Sequence, residues 1–125
     1  MLHIVADDLY IETSGSAVTQ YTEPLALDGK NTVQIEAWLV SARGMSGPGM
    51  SIALEASSDL ENWKTFYYPY QISFYSSSSP WATAPSGTIS SVEPIPFEYV
   101  RLAITLNETA AAVVVRAGMR PRNLI

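Results

Sequence analysis

The stretch Thr32-Val33-Gln34-Ile35-Glu36-Ala37-Trp38-Leu39-Val40 decides the fold class. Val33, Ile35, Ala37 and Leu39 alternate with Gln34, Glu36 and Trp38. A period of two places successive side chains on opposite faces, so this is a strand with one buried and one wetter face. Met50 to Ala56 repeats the pattern. Met50, Ile52, Leu54 and Ala56 point inward, and Ser51, Ala53 and Glu55 point outward. Between the two lies the Gly- and Pro-rich segment Ser41–Gly49, which supplies turn geometry. The expectation is a hairpin with a long tip.

Working outward, Glu98 to Asn107 alternates in the same way, with Val100, Leu102, Ile104 and Leu106 on one face. Ala112 to Met119 is β-branched at its centre and is expected to pair with it through a turn at Asn107-Glu108-Thr109. Leu9–Thr13 and Ala17–Thr22 suggest a first hairpin around Gly15. Asn62–Tyr70 is aromatic, which suits a pleated surface, and Pro69 should end that strand or place it at an edge. Ser73–Ser91 carries eight serines, two prolines and a glycine, and reads as a long loop too poor in apolar residues for the core, with Trp81 the exception. No window shows the i, i+3, i+4, i+7 spacing of an amphipathic helix. The predicted fold is all-β: one domain spanning 1–125, an antiparallel β-sandwich or jelly roll of seven or eight strands. A closed barrel is the alternative. Residues 73–91 would be a Ser-rich loop and 118–125 a basic C-terminal tail.

Composition narrows the chemistry. The chain has 125 residues, of which 47% are apolar and 15% charged. Typical domains carry about 25% charged residues. There is no cysteine and a single histidine, His3. That removes disulfides, thiolate metal sites and a cysteine nucleophile, and makes zinc improbable. No Gly-x-Ser-x-Gly elbow and no phosphate-binding loop is present. Asp59-Leu60-Glu61-Asn62 and Asp7-Asp8 have oxygen donors that suit calcium, but the first reads better as a solvated turn between strands. Asn107-Glu108-Thr109 fits the glycosylation pattern and is read as a turn. No catalytic residue, metal or cofactor is expected. The net charge of −5 argues against nucleic acid. The longest apolar run, Ala110–Val115, is far short of the ~20 residues of a membrane helix. The first residues lack the basic and apolar regions of a secretory signal.

The charges are unevenly placed. Residues 1–29 hold Asp7, Asp8, Glu12, Glu23 and Asp28 and no Lys or Arg, whereas residues 109–125 hold Arg116, Arg120 and Arg122 and no acid. The plain reading is two solvated ends; the sharper one is that one subunit's basic tail meets an acidic surface on a neighbour. Candidate partner-contact residues are therefore Arg116, Arg120 and Arg122 with the apolar end Leu124 and Ile125. The loop tips add Met45, Met50, Tyr75 and Trp81. Aromatic side chains also stack on sugar rings, and Trp38, Tyr67 and Tyr70 are the candidates for that use.

Two pieces carry a resemblance. Leu54-Glu55-Ala56-Ser57-Ser58-Asp59-Leu60-Glu61-Asn62-Trp63 has the form Glu-x-Ser-x-Asp-x-x-x-Trp, a strand followed by a turn. It resembles the strand-and-turn motif of discoidin-like (galactose-binding-like) domains, with Leu60 where that motif has glycine. Phe97-Glu98-Tyr99-Val100-Arg101-Leu102 is similar to a strand of the same families, and both elements recur in small phage and prophage virion proteins. The resemblance implies a structural role for Trp63 as a core plug and for Arg101 as an outward strand residue. It further implies a non-enzymatic virion protein, a capsid decoration (cement) or tail component assembled in the host cytoplasm. Such a protein would contact neighbouring shell subunits and form a homo-oligomer, trimer or dimer. A carbohydrate-binding module is the alternative.

Overall fold

The computed structural model describes residues 2–45, 49–74, 81–83 and 95–123, with the backbone alone over 67–72, 74 and 81–83. These residues form nine strands: β1 (His3–Glu12), β2 (Val18–Tyr21), β3 (Leu25–Ala26), β4 (Thr32–Arg43), β5 (Met50–Ser57), β6 (Lys64–Phe74), β7 (Trp81–Thr83), β8 (Tyr99–Leu106) and β9 (Ala112–Arg122). They make two antiparallel sheets. The four-stranded sheet has the order β1-β9-β4-β7. The five-stranded sheet has the order β2-β8-β5-β6, with β3 also on β8. The fold is the expected all-β sandwich.

The pairings are nested. β1 pairs with β9, β2 and β3 with β8, β4 with β7, and β5 with β6. The chain is thus one long antiparallel ribbon, rolled so that successive pairs fall in alternate sheets. Pairing of β4 with β9 and of β5 with β8 closes the two sheets. That is the jelly-roll arrangement.

Nesting corrects all three expected hairpins. β4 and β5, β8 and β9, and β1 and β2 each lie in opposite sheets. Their connections are corners that cross the sandwich, whose layers stand about 10 Å apart. Three corners bundle at one end. Asn107 N donates to Gly49 O at 2.7 Å, Gly15 N to Thr109 O at 2.8 Å, and Thr13 N to Ala111 O at 2.9 Å. Gly44 is held there with φ +78°, and an added Cβ would collide with the Ala110 carbonyl oxygen. This position requires glycine, for the left-handed backbone and for the close approach. Only β5–β6 is a local hairpin.

The alternation read from sequence does place the core. Val33, Ile35, Ala37 and Leu39, with Val115 and Met119 beside them in the same sheet, share one buried cluster with Ile52, Leu54, Leu102 and Ile104 of the other. Residues 118–122, expected as a tail, are the last part of β9 in mid-sheet, with Met119 fully buried. A tail that is apolar at every second residue can bury that face, and here it does. In the Ser73–Ser91 stretch, Ser73 and Phe74 end β6 and 81–83 form β7. The rest lies outside the described residues.

Candidate functional site

The outer face of the four-stranded sheet is set by β1 and β9. Their antiparallel pairing brings the acidic start of the chain against its basic end. A register break between Ala6 and Leu9 bulges Asp7 and Asp8 out of the ladder, with Asp8 at φ 53°. Asp tolerates that left-handed backbone better than most residues. Both carboxylates reach Arg116: Nη2 donates to Asp8 Oδ1 at 2.9 Å, and Nε lies 3.6 Å from Asp7 Oδ1. Arg43 lies 3.6 Å from Glu12. Of the charges expected to join two subunits, Arg116 pairs with Asp7 and Asp8 within one chain, because the strands carrying them are neighbours.

Around that charged centre the face mixes exposed apolar side chains with Glu36, Arg120 and the Arg43–Glu12 pair. Ile4 is 48% exposed and stands opposite Gly118, Tyr10 is 54% exposed and stands opposite Val114, and Val40 is 47% exposed at the β4 bulge. A Cβ on Gly118 would meet the Leu2 side chain at 2.9 Å, so the missing side chain leaves a dimple that Leu2 fills. Trp38, half-buried, sits opposite Arg116 on this same face. The bulged, acidic β1 edge discourages a further strand from pairing beside it.

The outer face of the five-stranded sheet is closed on itself. Arg101 on β8 stands opposite Glu55 on β5. Its Nε and Nη2 both lie 2.8 Å from Glu55 Oε1, and Thr65 donates to Glu55 Oε2 at 3.3 Å. Above the pair, the guanidinium carbon is 4.0 Å from the Tyr21 ring centre and 4.1 Å from that of Trp63. Tyr21 comes from β2 and Trp63 from the β5–β6 turn. The cation thus holds two rings from distant parts of the chain, and Glu55, expected to face water, is buried beneath it. Stacked cation–π contacts of this kind contribute about 0.5–2 kcal/mol each. Arg101 is the outward strand residue that the resemblance implies. Trp63 is not a core plug: it lies half-buried at the surface, donating from Nε1 to Leu60 O at 3.3 Å.

The turn leading to Trp63 is a side-chain construction. Asp59 Oδ1 accepts from Glu61 N and Asn62 N at 2.9 and 2.8 Å and from Ser57 Oγ at 2.9 Å, while Oδ2 accepts from Asn62 Nδ2 at 2.7 Å. Hydrogen bonds from the Asn62 backbone and side chain, then from Glu61 and Ser57, hold the Asp59 carboxyl well below the usual carboxylate range. The oxygens that suit calcium are thus bonded to their own turn. Among the described residues no group of three or more His, Asp or Glu side chains is placed to hold a metal. Leu60, at the place where the motif has glycine, has φ 65°.

A shallow cleft of about 370 Å³ opens at one end of the sandwich, lined by Asp28, Lys30, Phe97, Glu98 and Tyr99 among others. Nothing in the sequence reading pointed to it or to Tyr21. The Asp28-Gly29 dipeptide was the available turn signal, whereas the Tyr21 stack depends on contacts far apart in sequence.

The candidate contact residues fall in different places. Met50 is fully buried and Met45 packs partly buried against the core, so the loop tip does not offer them to a partner. Met50 opens core strand β5, and Met45, just past the end of β4, is drawn in by the corner. Arg120 is half-buried on β9, and Arg122 is exposed with Nη1 donating to Gln34 Oε1 at 2.8 Å. Trp81 enters β7 with its backbone opposite Trp38. The β5 ladder jumps from Leu54–Phe66 to Ala53–Gln71, so Tyr67 and Tyr70 lie in a segment that β6 loops out at the sheet edge, together with Pro69. Tyr75, Leu124 and Ile125 lie outside the described residues. No protein-family model matches this chain, and no curated protein matches it.

Proposed function

We propose that this chain is a non-enzymatic structural protein of a virion, a capsid decoration or tail component, that stabilises an assembly through protein–protein contacts. The observation that carries the reading is the outer face of the four-stranded sheet. It leaves Ile4, Tyr10 and Val40 about half exposed around an internally paired charged centre. Apolar groups gathered on one face, rather than scattered singly, mark interaction sites. The jelly roll serves as a capsid domain elsewhere, which supports the context that the sequence resemblance suggests without establishing it. The mechanism is passive: binding only the assembled form stabilises it by mass action. Contacts shift from the expected loop tip and tail to this sheet face. The test is co-sedimentation with candidate shells. Retention by the wild type and loss in Tyr10→Glu are expected; retention unchanged by that substitution would remove the reading.

A second reading, carbohydrate binding, is favoured by Tyr21. Its ring is 53% exposed and braced by Arg101, and the cleft lined by Tyr99 lies further along β8. Aromatic rings held in this way suit stacking on a sugar. Titration with a glycan panel, followed by Trp fluorescence from the adjacent Trp63, tests it. No response from any glycan would count against it.

A further inference from the structure

We infer that the cleft beside the Asp28-Gly29 turn is a site for a neutral mono- or disaccharide, an inference that rests on the carbohydrate reading above and moves its centre from Tyr21 to Tyr99. The register makes the hollow. On β3, Ala26 stands directly opposite Tyr99 of β8, so a methyl group lies beside a ring on the same face. Gly29 adds no side chain, and a Cβ placed there would meet nothing within 4 Å. Asp28, Lys30 and Glu98 line the same space. Its volume of about 370 Å³ lies near the lower end of the ~300–1,000 Å³ of small-molecule sites, which suits a small sugar and not a long chain.

The walls are preformed. Asp28 at φ 51° and Gly29 at φ 82° have the two positive φ values of a type I′ turn, closed by Lys30 N donating to Leu27 O at 3.0 Å. Leu27 is fully buried and anchors the turn to the core. Its N donates to Glu98 O at 2.8 Å, and Asn31 N donates to Arg122 O at 3.1 Å. The turn is thus tied to the residue before β8 and to the end of β9, and little ordering is left to oppose binding.

The charges set this place apart. Arg101 and Arg116 are answered by carboxylates of their own sheets. The side chains of Asp28, Lys30 and Glu98 are exposed and make no hydrogen bond or ion pair among the described residues. Three open charges therefore converge on one cleft. A cation would meet the Lys30 ammonium, and an anion would meet two carboxylates. A neutral ligand rich in hydroxyls meets neither penalty. Its hydroxyls donate to the carboxylate oxygens and accept from the ammonium, and hydrogen bonds to charged groups are the stronger kind. Tyr99, half-buried, offers an apolar ring to the C–H side of the sugar.

Calorimetric titration of the full chain tests the inference. Glucose, galactose, mannose, N-acetylglucosamine and lactose are the neutral probes, with glucuronate and glucosamine as charged counterparts. Glu98→Ala and Tyr99→Ala alter the cleft. Asp28→Asn removes a charge and keeps the turn, because Asn-Gly suits it equally. Tyr21→Ala marks the competing location, and circular dichroism confirms that each variant is folded. The expected result is that a neutral probe binds wild type and Tyr21→Ala alike, ahead of both charged counterparts. It should bind Glu98→Ala and Tyr99→Ala about tenfold more weakly, the worth of one charge-assisted hydrogen bond, and Asp28→Asn more weakly than wild type. Binding that falls with Tyr21→Ala and ignores the cleft variants would overturn the inference and leave the carbohydrate reading standing. Preference for glucuronate or glucosamine over every neutral probe would overturn it as well. No binding of any saccharide by wild type would remove both.

Discussion

The two outer faces of the sandwich each carry one central arginine, and they use it differently. On the five-stranded sheet, Arg101 covers a buried carboxylate and is itself bracketed by Tyr21 and Trp63. On the four-stranded sheet, Arg116 is about two-fifths exposed, between two exposed carboxylates, while Ile4, Tyr10 and Val40 stay in water. The first face spends its aromatic and charged groups on joining β2, β5, β6 and β8. The second leaves Ile4, Tyr10 and Val40 about half exposed among the described residues. Substitutions on the first should therefore change stability, and substitutions on the second should change association.

The largest expected effect tests the first half. Arg101→Leu leaves Glu55 buried without its cation and should cost about 3 kcal/mol, read as a lower unfolding midpoint in denaturant. A loss below ~1 kcal/mol would show that Glu55 reaches water and that the face is not closed. Next comes Leu60→Gly. Leu60 sits in the left-handed region and is 47% exposed, so little packing is lost and strain of ~1 kcal/mol is relieved. Thermal unfolding should shift upward. A downward shift would mean that Leu60 contributes contacts to the turn.

Arg116→Ala is the counterpart of Arg101→Leu. Exposed pairs of this kind contribute less than about 1 kcal/mol, so the unfolding midpoint should barely move. A loss as large as that for Arg101→Leu would erase the contrast between the faces. The smallest effect is acid sensitivity at the Asp59 turn. Its carboxyl titrates lower folded than unfolded, so its contribution is complete above the ordinary carboxylate value of about 4. The contribution is lost as pH falls from there through the depressed folded value. Asp59→Asn should flatten the stability profile below about pH 4 and leave the neutral end of its shape unchanged. An unchanged acid limb would contradict the depressed titration.

Much of this fold was legible in sequence, and its wiring was not. Period-two alternation at Val33–Leu39, Met50–Ala56 and Val100–Leu106 marks which side chains are buried, and the core follows it. Alternation does not say which sheet a strand joins. Two strands linked by a turn-like segment look alike whether they pair side by side or cross between layers, and nesting made three such links into corners. The faces show the same limit. Arg101 could be placed outward from its neighbours, but Tyr21 and Trp63 reach it from β2 and the β5–β6 turn. Asp8 and Arg116 stand 108 residues apart. Their charge asymmetry was visible, but not that Asp7, Asp8 and Arg116 would meet on two adjacent strands of one chain.

The most direct test compares one tyrosine on each face. Hydroxyl-radical footprinting of Tyr10 and Tyr21, in dilute and in concentrated or shell-bound protein, reads both at once. Protection of Tyr10 on assembly with Tyr21 unchanged is the predicted result. Protection of Tyr21 with Tyr10 unchanged would contradict it.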